Sequence, residues 1–380
     1  MRAGVNMIKR IFKILLILVV VVVTFAVGFI VTLQIFEYNP ADIESLEITN
    51  NQTDTDTNYV DLNQTIKIMT FNTGYASLSE TEDFVMDGGT KGRMDSAAEV
   101  EANITGISNI LTTAAADIYL LQEVDVNSDR SYNTLQYQTY TDLLNFPVTL
   151  GYNYRCIFVP FPFQIGQMMG DVNSGIMTAT NFFVASAARH QLPGEFSWPL
   201  KLANLKRCMT VTVLPIKDSN HNLVIINVHL SAYDEGDMRA QEMTAVKDYA
   251  MAQYTLGNYV IIGGDFNQTF PEAVVTPATS TTSPVYAYPL TPGFWEAYEM
   301  DATWVTDNGW DFGVDLDPFN PTCRLLNHPY DTTTWENNQY YVVDGFIVSP
   351  NVTIISEEIV EQDFEFSDHN PVVIEITLNN

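Results

Sequence analysis

A layered α/β or α+β body behind one membrane-spanning helix is the fold this sequence predicts. Three observations carry that reading. An uncharged apolar run of 23 residues lies near the N-terminus, a series of short Val- and Ile-rich runs ends in polar side chains, and stretches of helical periodicity lie between some of those runs.

The apolar run is Ile14–Phe36, with LLILVVVVVTFAVGFIVTL at its heart. At a rise of about 1.5 Å per residue, about 20 such residues cross a hydrocarbon layer of about 30 Å. Arg2, Lys9, Arg10 and Lys13 precede the run and Glu37 follows it. The positive-inside rule then expects a basic cytoplasmic tail at 1–13, a signal anchor at 14–36, and the body outside the cytoplasm at the cell membrane. A cleaved signal peptide is the rival reading, but the run exceeds an h-region of about 7–15 residues and no A-x-A-like site follows it. Residues 37–62 are polar, rich in Asn, Asp and Thr, and read as a linker. DTDTN at 54–58 begins like a calcium loop, yet Tyr59 stands where that loop needs Gly and Thr65 where it needs Glu.

The remaining chain, 63–380, carries the short runs. IKIMTF (Ile66–Phe71) leads into Asn72, and IYLL (Ile118–Leu121) into Gln122 and Glu123. LVIINV (Leu223–Val228) leads into His229, and YVIIGG (Tyr259–Gly264) into Asp265 and Asn267. Tyr341–Ser349 carries Asp344, and PVVIEITL (Pro371–Leu378) follows Asp368 and His369. Runs this short and this rich in Val and Ile are buried strands. Between them, Ile104, Ile107, Ile110 and Leu111 recur at helical spacing within 95–113, as do Met243, Val246, Ala250 and Tyr254 within 236–254. Thr276–Ser283 is a small low-complexity loop, and the chain shows no repeat of fixed period.

Composition bounds the chemistry. The 380 residues are 46% hydrophobic, enough for a large core, and only 17% are charged, too few for a disordered polyelectrolyte. Asp and Glu number 46 against 17 Lys and Arg, for a net charge of −29, and four of those cations lie before Glu37. So acidic a body repels polyanions at long range, and a phosphate-bearing substrate must be held by a local feature such as bound metal or a few placed cations. Nucleic acid is a possible partner that the charge does not favour. Cys156, Cys208 and Cys323 are odd in number and unpaired in spacing, which reads as buried hydrophobes rather than a disulfide framework or a zinc site.

Any one polar residue at a strand end reads as solvated or as a cap for the next turn. The set is different, because two His, one Glu, three Asp and two Asn converge if the strands share an edge. Such oxygen donors suit a hard cation, Mg2+ or Mn2+.

The ordered series MTFNTG, LLQEVD, NSGIMTAT, INVHLSA, IIGGDFNQT, VVDGFIVS and FSDHNP, from Ile66 to Leu378, resembles the endonuclease/exonuclease/phosphatase family. The resemblance implies a four-layer sandwich, two packed mixed β-sheets flanked by helices, and metal-dependent phosphoester hydrolysis. It implies that Asn72, Glu123 and Asp368 belong to the metal site, with Glu123 a direct ligand. It implies that Asp265 and Asn267 orient water and hold phosphate, that His229 contacts the scissile phosphate, and that Asp344 and His369 form a hydrogen-bonded pair. The acidic partner that some family nucleases give the histidine matched by His229 is not found in the sequence. Arg130 and Arg324 read either as loop cations gripping substrate phosphate or as surface salt bridges. Arg155–Gly170, apolar and aromatic, reads as core or as a wall for a lipid-like or base-bearing substrate.

The function that follows is hydrolysis of a phosphodiester or phosphomonoester outside the cytoplasm, on a lipid headgroup or small phosphoester ahead of nucleic acid. An extracellular nuclease is one alternative, and a non-catalytic surface binding protein that kept the fold is another. The sequence marks no obligate protein partner. The topology has a direct consequence: protease added to intact cells digests the body, whereas a body protected until lysis reverses the orientation.

Overall fold

The computed structural model describes residues 2–52, 57–234, 237–271, 273, 295, 298–315, 321–333 and 338–379. The expected loop at Thr276–Ser283 lies outside them, as does most of DTDTN. The apolar run forms helix α1 (Arg2–Ile35), and Asn6–Ile35 is long and apolar enough to cross a membrane. Helices α2 (Ala97–Ala114), α3 (Gln136–Leu144), α4 (Asp237–Thr255) and α5 (Thr303–Asp307) follow. The strands in chain order are β1 (Ile43–Ser45), β2 (Ile66–Asn72), β3 (Ile118–Asp125), β4 (Val148–Val159), β5 (Gly170–Thr180), β6 (Ser186–Gln191), β7 (Cys208–Pro215), β8 (Asn222–His229) and β9 (Tyr259–Asp265). Then come β10 (Gln268–Thr269), β11 (Tyr298–Glu299), β12 (Asp311–Gly313), β13 (Cys323–Arg324), β14 (Tyr340–Tyr341), β15 (Asp344–Val348), β16 (Val352–Ile359) and β17 (Val372–Leu378).

Two mixed sheets face each other, one of order β1-β6-β7-β8-β9-β15-β12 and the other β16-β17-β2-β3-β5-β4. Alternation decides which side chains enter which layer. Ile66, Ile68, Ile118 and Leu120 join the core between the sheets, while Met69, Phe71, Tyr119 and Leu121 meet Val100, Ile104, Ile107 and Leu111 of α2. Helix α4 packs Met243, Val246 and Ala250 against the seven-stranded sheet. Helix, sheet, sheet and helix make the four expected layers. Each sheet holds one parallel pair whose crossover contains a helix, β2–α2–β3 and β8–α4–β9, with antiparallel strands on either side. The two pairs therefore bring their carboxyl ends to the chemistry: Asn72 and Glu123 from one sheet, His229 and Asp265 from the other.

Three expectations change. The segment read as a linker is in part sewn to the body: β1 pairs antiparallel with β6, Thr49 bridges Val148 and Val60 bridges Ile216. Backbone pairing at a sheet edge makes few demands on side chains, so polar composition did not reveal it. The single run Tyr341–Ser349 divides, because Tyr340–Tyr341 pairs with β13 while Asp344–Val348 crosses to β9. Arg155–Gly170 is neither uniform core nor uniform wall: Cys156, Val159 and Met169 are buried, but Phe163 is 83% and Ile165 97% exposed. All three cysteines are free and buried.

The β8–β9 pair depends on close backbone approach. Gly264 has φ +145°, and a Cβ there would stand 2.0 Å from the Val228 carbonyl oxygen. Gly264→Ala is expected to cost on the order of 3 kcal/mol. A denaturant titration of the detergent-solubilised chain checks this, and an unchanged midpoint contradicts it.

Candidate active site

His229, Asp265 and Asp344 stand side by side in one row of the seven-stranded sheet, since His229 pairs with Asp265 and Asp265 with Asp344. Neighbours in register point the same way, so one row presents a histidine and two carboxylates together. Across the sandwich, Asn72 ends β2. Its Oδ1 accepts from the Gly74 N–H at 3.0 Å, which fixes its amide, and its Nδ2 donates to Asp265 Oδ2 at 3.0 Å. The two sheets thus meet through Asn72 and Asp265.

Glu123 reaches the site by a break in the strand. Simple alternation in β3 puts Gln122 between the sheets and Glu123 toward α2. Instead the register against β5 shifts between Leu121 and Val124, and Glu123 takes φ +54°. A bulge of this kind re-aims a side chain, at a cost of about 1–3 kcal/mol for the left-handed residue. Gln122 keeps its interior place and donates to Asn227 Oδ1 of the facing sheet at 2.8 Å.

The remaining groups close around these. His369 Nδ1 donates to Asp344 Oδ2 at 2.7 Å, and its Nε2 lies 3.8 Å from Asp368 Oδ2, 3.9 Å from Asp265 Oδ2 and 3.4 Å from Asn72 Nδ2. His229 Nε2 lies 3.5 Å from Asp265 Oδ2 and 3.8 Å from Glu123 Oε1, and its buried Nδ1 makes no hydrogen bond to the described residues. Asn267 donates its N–H to Asp265 Oδ1 at 2.9 Å and its Nδ2 to the Leu230 carbonyl at 2.8 Å. The eight residues meet in one place, and seven of them (Asn72, Glu123, His229, Asp265, Asn267, Asp368 and His369) line a cleft of about 580 Å³.

The two arginines are buried rather than on the surface. Arg130 makes a two-pronged ion pair with Asp125, at 2.8 and 3.2 Å, and stacks 3.6 Å above the Tyr75 ring. Arg324 donates to the carbonyls of Ser79, Glu82, Leu325 and His328, which braces the loops beside the cleft. Both line the cleft, as do Arg207 and the hydrogen-bonded pair Tyr233–Asp87, which the sequence reading missed. Arg207 donates to the His229 carbonyl at 3.3 Å. No motif surrounds it, and only the sheet register brings it near.

Charge inside the cleft is unbalanced. Burial pushes Asp265 up to about 6, helped by repulsion from Asp344, and pushes Asp368 up to about 7 against the pull of His369. Burial also raises Glu123. Burial pulls His369 down, but Asp344, with Cys323 and Asp368, outweighs it and holds the ring well above the ordinary value. His229 falls well below that value through burial and then the positive charges of Arg207, His369 and Arg130. Glu123 Oε2 and Asp344 Oδ1 are buried without a hydrogen-bond partner among the described residues. A divalent cation fits this donor set: the oxygens are hard ligands, and burial keeps Glu123, Asp265 and Asp368 raised in spite of the positive groups around them. Two groups have ligand atoms within 4.8 Å of one another, Asp265–Asp344–His369 and Cys323–Asp368–His369. Of the expected carboxylate ligands, Asp368 falls within them and Glu123 does not.

The family model described as "Endonuclease/Exonuclease/phosphatase family" matches residues 69–369. Among solved structures, an endonuclease/exonuclease/phosphatase from Beutenbergia cavernae is 16% identical, with a TM-score of 0.56, over 83% of this chain and 72% of that one. A functionally unknown conserved protein from Enterococcus faecalis is 14% identical, with a TM-score of 0.50, over 83% of this chain and 100% of that one. A Bacteroides thetaiotaomicron mannosyl-6-phosphatase is 13% identical, with a TM-score of 0.49, over 82% and 100%. No curated protein matches.

The charge balance sets a pH dependence. Raised carboxylates (Glu123, Asp265, Asp368) bind more protons folded than unfolded, so their contribution to stability falls as pH rises from about 4 through their folded values. His369, raised by Asp344, acts in the same direction: its contribution is complete below about 6.5 and is lost as pH rises through its folded value. His229 is depressed and opposes them, one group against four. In chelator the chain is therefore expected to lose stability between about pH 5 and 8, and Asp344→Asn to flatten that slope. Thermal melts across this range check it, and a stability that climbs with pH in chelator contradicts it.

Proposed function

The chain belongs to the endonuclease/exonuclease/phosphatase family, and on that premise we propose that it is a membrane-tethered, Mg2+- or Mn2+-dependent phosphoester hydrolase. The observation that carries the reading is the convergence of Asn72, Glu123, His229, Asp265, Asn267, Asp344, Asp368 and His369 at one end of the sandwich. A binding module has no need of all eight. Members of the family are generally dependent on a divalent metal, and the acidic and histidine clusters fit one.

Glu123, Asp368 and Asn72 hold the cation, which when bound offsets the negative charge of the phosphate in the transition state. Asp265 and Asn267 orient the attacking water. Asp265, brought up to about 6 in the metal-free cleft, is suited to take its proton. His369 is kept cationic by Asp344 and donates to a phosphate oxygen. His229, held neutral, faces the same phosphorus from the other side and hydrogen-bonds the leaving oxygen. Arg130, stacked on Tyr75, supplies positive potential at the cleft wall. Helix α1 holds the body at the cell membrane, outside the cytoplasm, and a lipid headgroup or small phosphoester is the substrate class. Net acidity disfavours duplex nucleic acid.

The test is a panel of plasmid DNA, RNA, sphingomyelin, inositol phosphates and bis-p-nitrophenyl phosphate, assayed with Mg2+, with Mn2+ and with chelator. Turnover requires the metal and is strongly reduced in Glu123→Gln; full activity in excess chelator overturns the metal site. His229→Ala and His369→Ala each lower turnover on the order of 10²-fold or more, and Asp344→Asn resembles His369→Ala. The double histidine variant falls by much less than the product of the two. Near-full turnover in both single variants overturns the assigned mechanism.

A further inference from the structure

The cleft does not stop at the polar groups. The same cavity that Asp265, His369 and Glu123 line is also lined by Phe29, Ile30 and Leu33 of α1, the helix that is long and apolar enough to span a bilayer. Its wall is carried between those ends by Val159, Phe161, Met169 and Leu200. We propose that this cleft is a lateral entry path from the bilayer, and that the substrate is a membrane-resident, acyl-chain-bearing phosphoester whose chain lies along the α1 side while its phosphate meets the polar end. This deepens the hydrolase reading above and rests on it.

Three further observations support the path. First, the body is seated on the helix rather than dangling from it. Phe29, Ile30 and Leu33 pack with Tyr154, Val159, Met169 and Leu202, and Phe29 meets Phe158 edge to face at 6.1 Å. At the end of the helix, Trp198 Nε1 donates to Gln34 at 3.1 Å, and just beyond it Lys206 Nζ joins Glu37 at 3.0 Å and Glu195 at 2.9 Å.

Second, the surface beside that seat is apolar where a water-facing surface is not. Phe163 is 83% exposed, Ile165 97%, Leu200 62% and Trp198 58%. They come from two separate segments, the β4–β5 connection and residues 196–200, and both border the same cleft. Grouped apolar exposure of this kind marks an interaction surface, and an amphipathic Trp suits a membrane interface.

Third, the depth agrees. Phe29 lies six residues before Ile35, about 9 Å down the helix axis. A body packed that far down reaches about the depth to which interfacial apolar groups enter a bilayer, 5–10 Å. The apolar apron formed by Phe163, Ile165, Trp198 and Leu200 therefore shares the membrane with the end of α1, and the cleft mouth faces acyl chains. In the reaction, water adds to phosphorus as one P–O ester bond breaks, and the released alkoxide takes a proton. The chain-bearing product returns to the bilayer by the way the substrate entered.

The experiment uses the full chain in vesicles of phosphatidylcholine, phosphatidylglycerol, phosphatidylinositol and sphingomyelin, with Mg2+. Bromine-labelled acyl chains read insertion directly: they quench Trp fluorescence in the native chain, and the quenched fraction falls in Trp198→Phe. Phe163→Ser and Ile165→Ser, both exposed and outside the catalytic set, lower kcat/KM on the vesicle lipid that is turned over by roughly tenfold or more. They leave turnover of soluble bis-p-nitrophenyl phosphate within about twofold. Absence of Trp198 quenching, or an equal loss on both substrates, overturns the entry path while leaving the hydrolase intact. Burial of the apron by a second copy without quenching overturns it as well. Failure to hydrolyse any phosphoester with metal overturns the hydrolase reading instead, and the quenching result stands apart from it.

Discussion

The bulge in β3 is the constraint on which the site hangs. A strand offers one residue in two to each face, and Glu123 has the wrong parity for the space between the sheets. The left-handed turn at Glu123 inserts it there without giving up Gln122, whose amide already ties β3 to Asn227 of the facing sheet. Both needs are met at once: the interlayer hydrogen bond holds the sheets together and the displaced carboxylate enters the cleft. The strain is carried by strands buried on both faces, where backbone pairing on either side holds the irregularity in place.

Register does for the other sheet what the bulge does for this one. His229, Asp265 and Asp344 come from strands that are neighbours in space but up to 115 positions apart in the chain. Their row sets two carboxylates beside a histidine in a region of low dielectric; burial first, and repulsion from Asp344 second, raises Asp265, while burial raises Asp368 next to it. The histidines shift unequally. Asp344 outweighs burial and holds His369 well above the ordinary imidazole value, whereas burial, and then the nearby Arg207, His369 and Arg130, holds His229 well below it. Two rings of the same type therefore enter the cleft in different protonation states, which separates their tasks.

Helix α1 and the site belong to one surface. Helix α1 alone reads as a tether, and a tether places no demand on the body. Here its last turns contribute side chains to a cavity wall, and buried Lys206 fixes the juncture through Glu37. The part of 37–62 that pairs with the edges of both sheets shortens the tether further, so the orientation of the cleft relative to α1 is set by packing rather than by chain length.

By itself the sequence determined the long apolar helix, strands β2, β3, β8, β9 and β17, helices α2 and α4 and the polar residues at those strand ends, because each rests on local composition and period; the two-sheet sandwich followed from the resemblance of the ordered motifs. Ile66–Phe71, Leu223–Val228 and Tyr259–Gly264 are legible as strands for the reason that burial on both faces demands continuous apolar runs. What only the tertiary structure decided rests on pairings between distant segments. The bulge at Glu123, the break at Val342–Val343, the edge pairing of β1, the commitment of Arg324 to carbonyls and the placing of Arg207 beside His229 all depend on which backbone lies alongside. The meeting of Leu33 with Met169 and Leu202 is of the same kind. An apolar residue in a span looks alike whether it faces lipid or protein, and that choice is made by the partner surface.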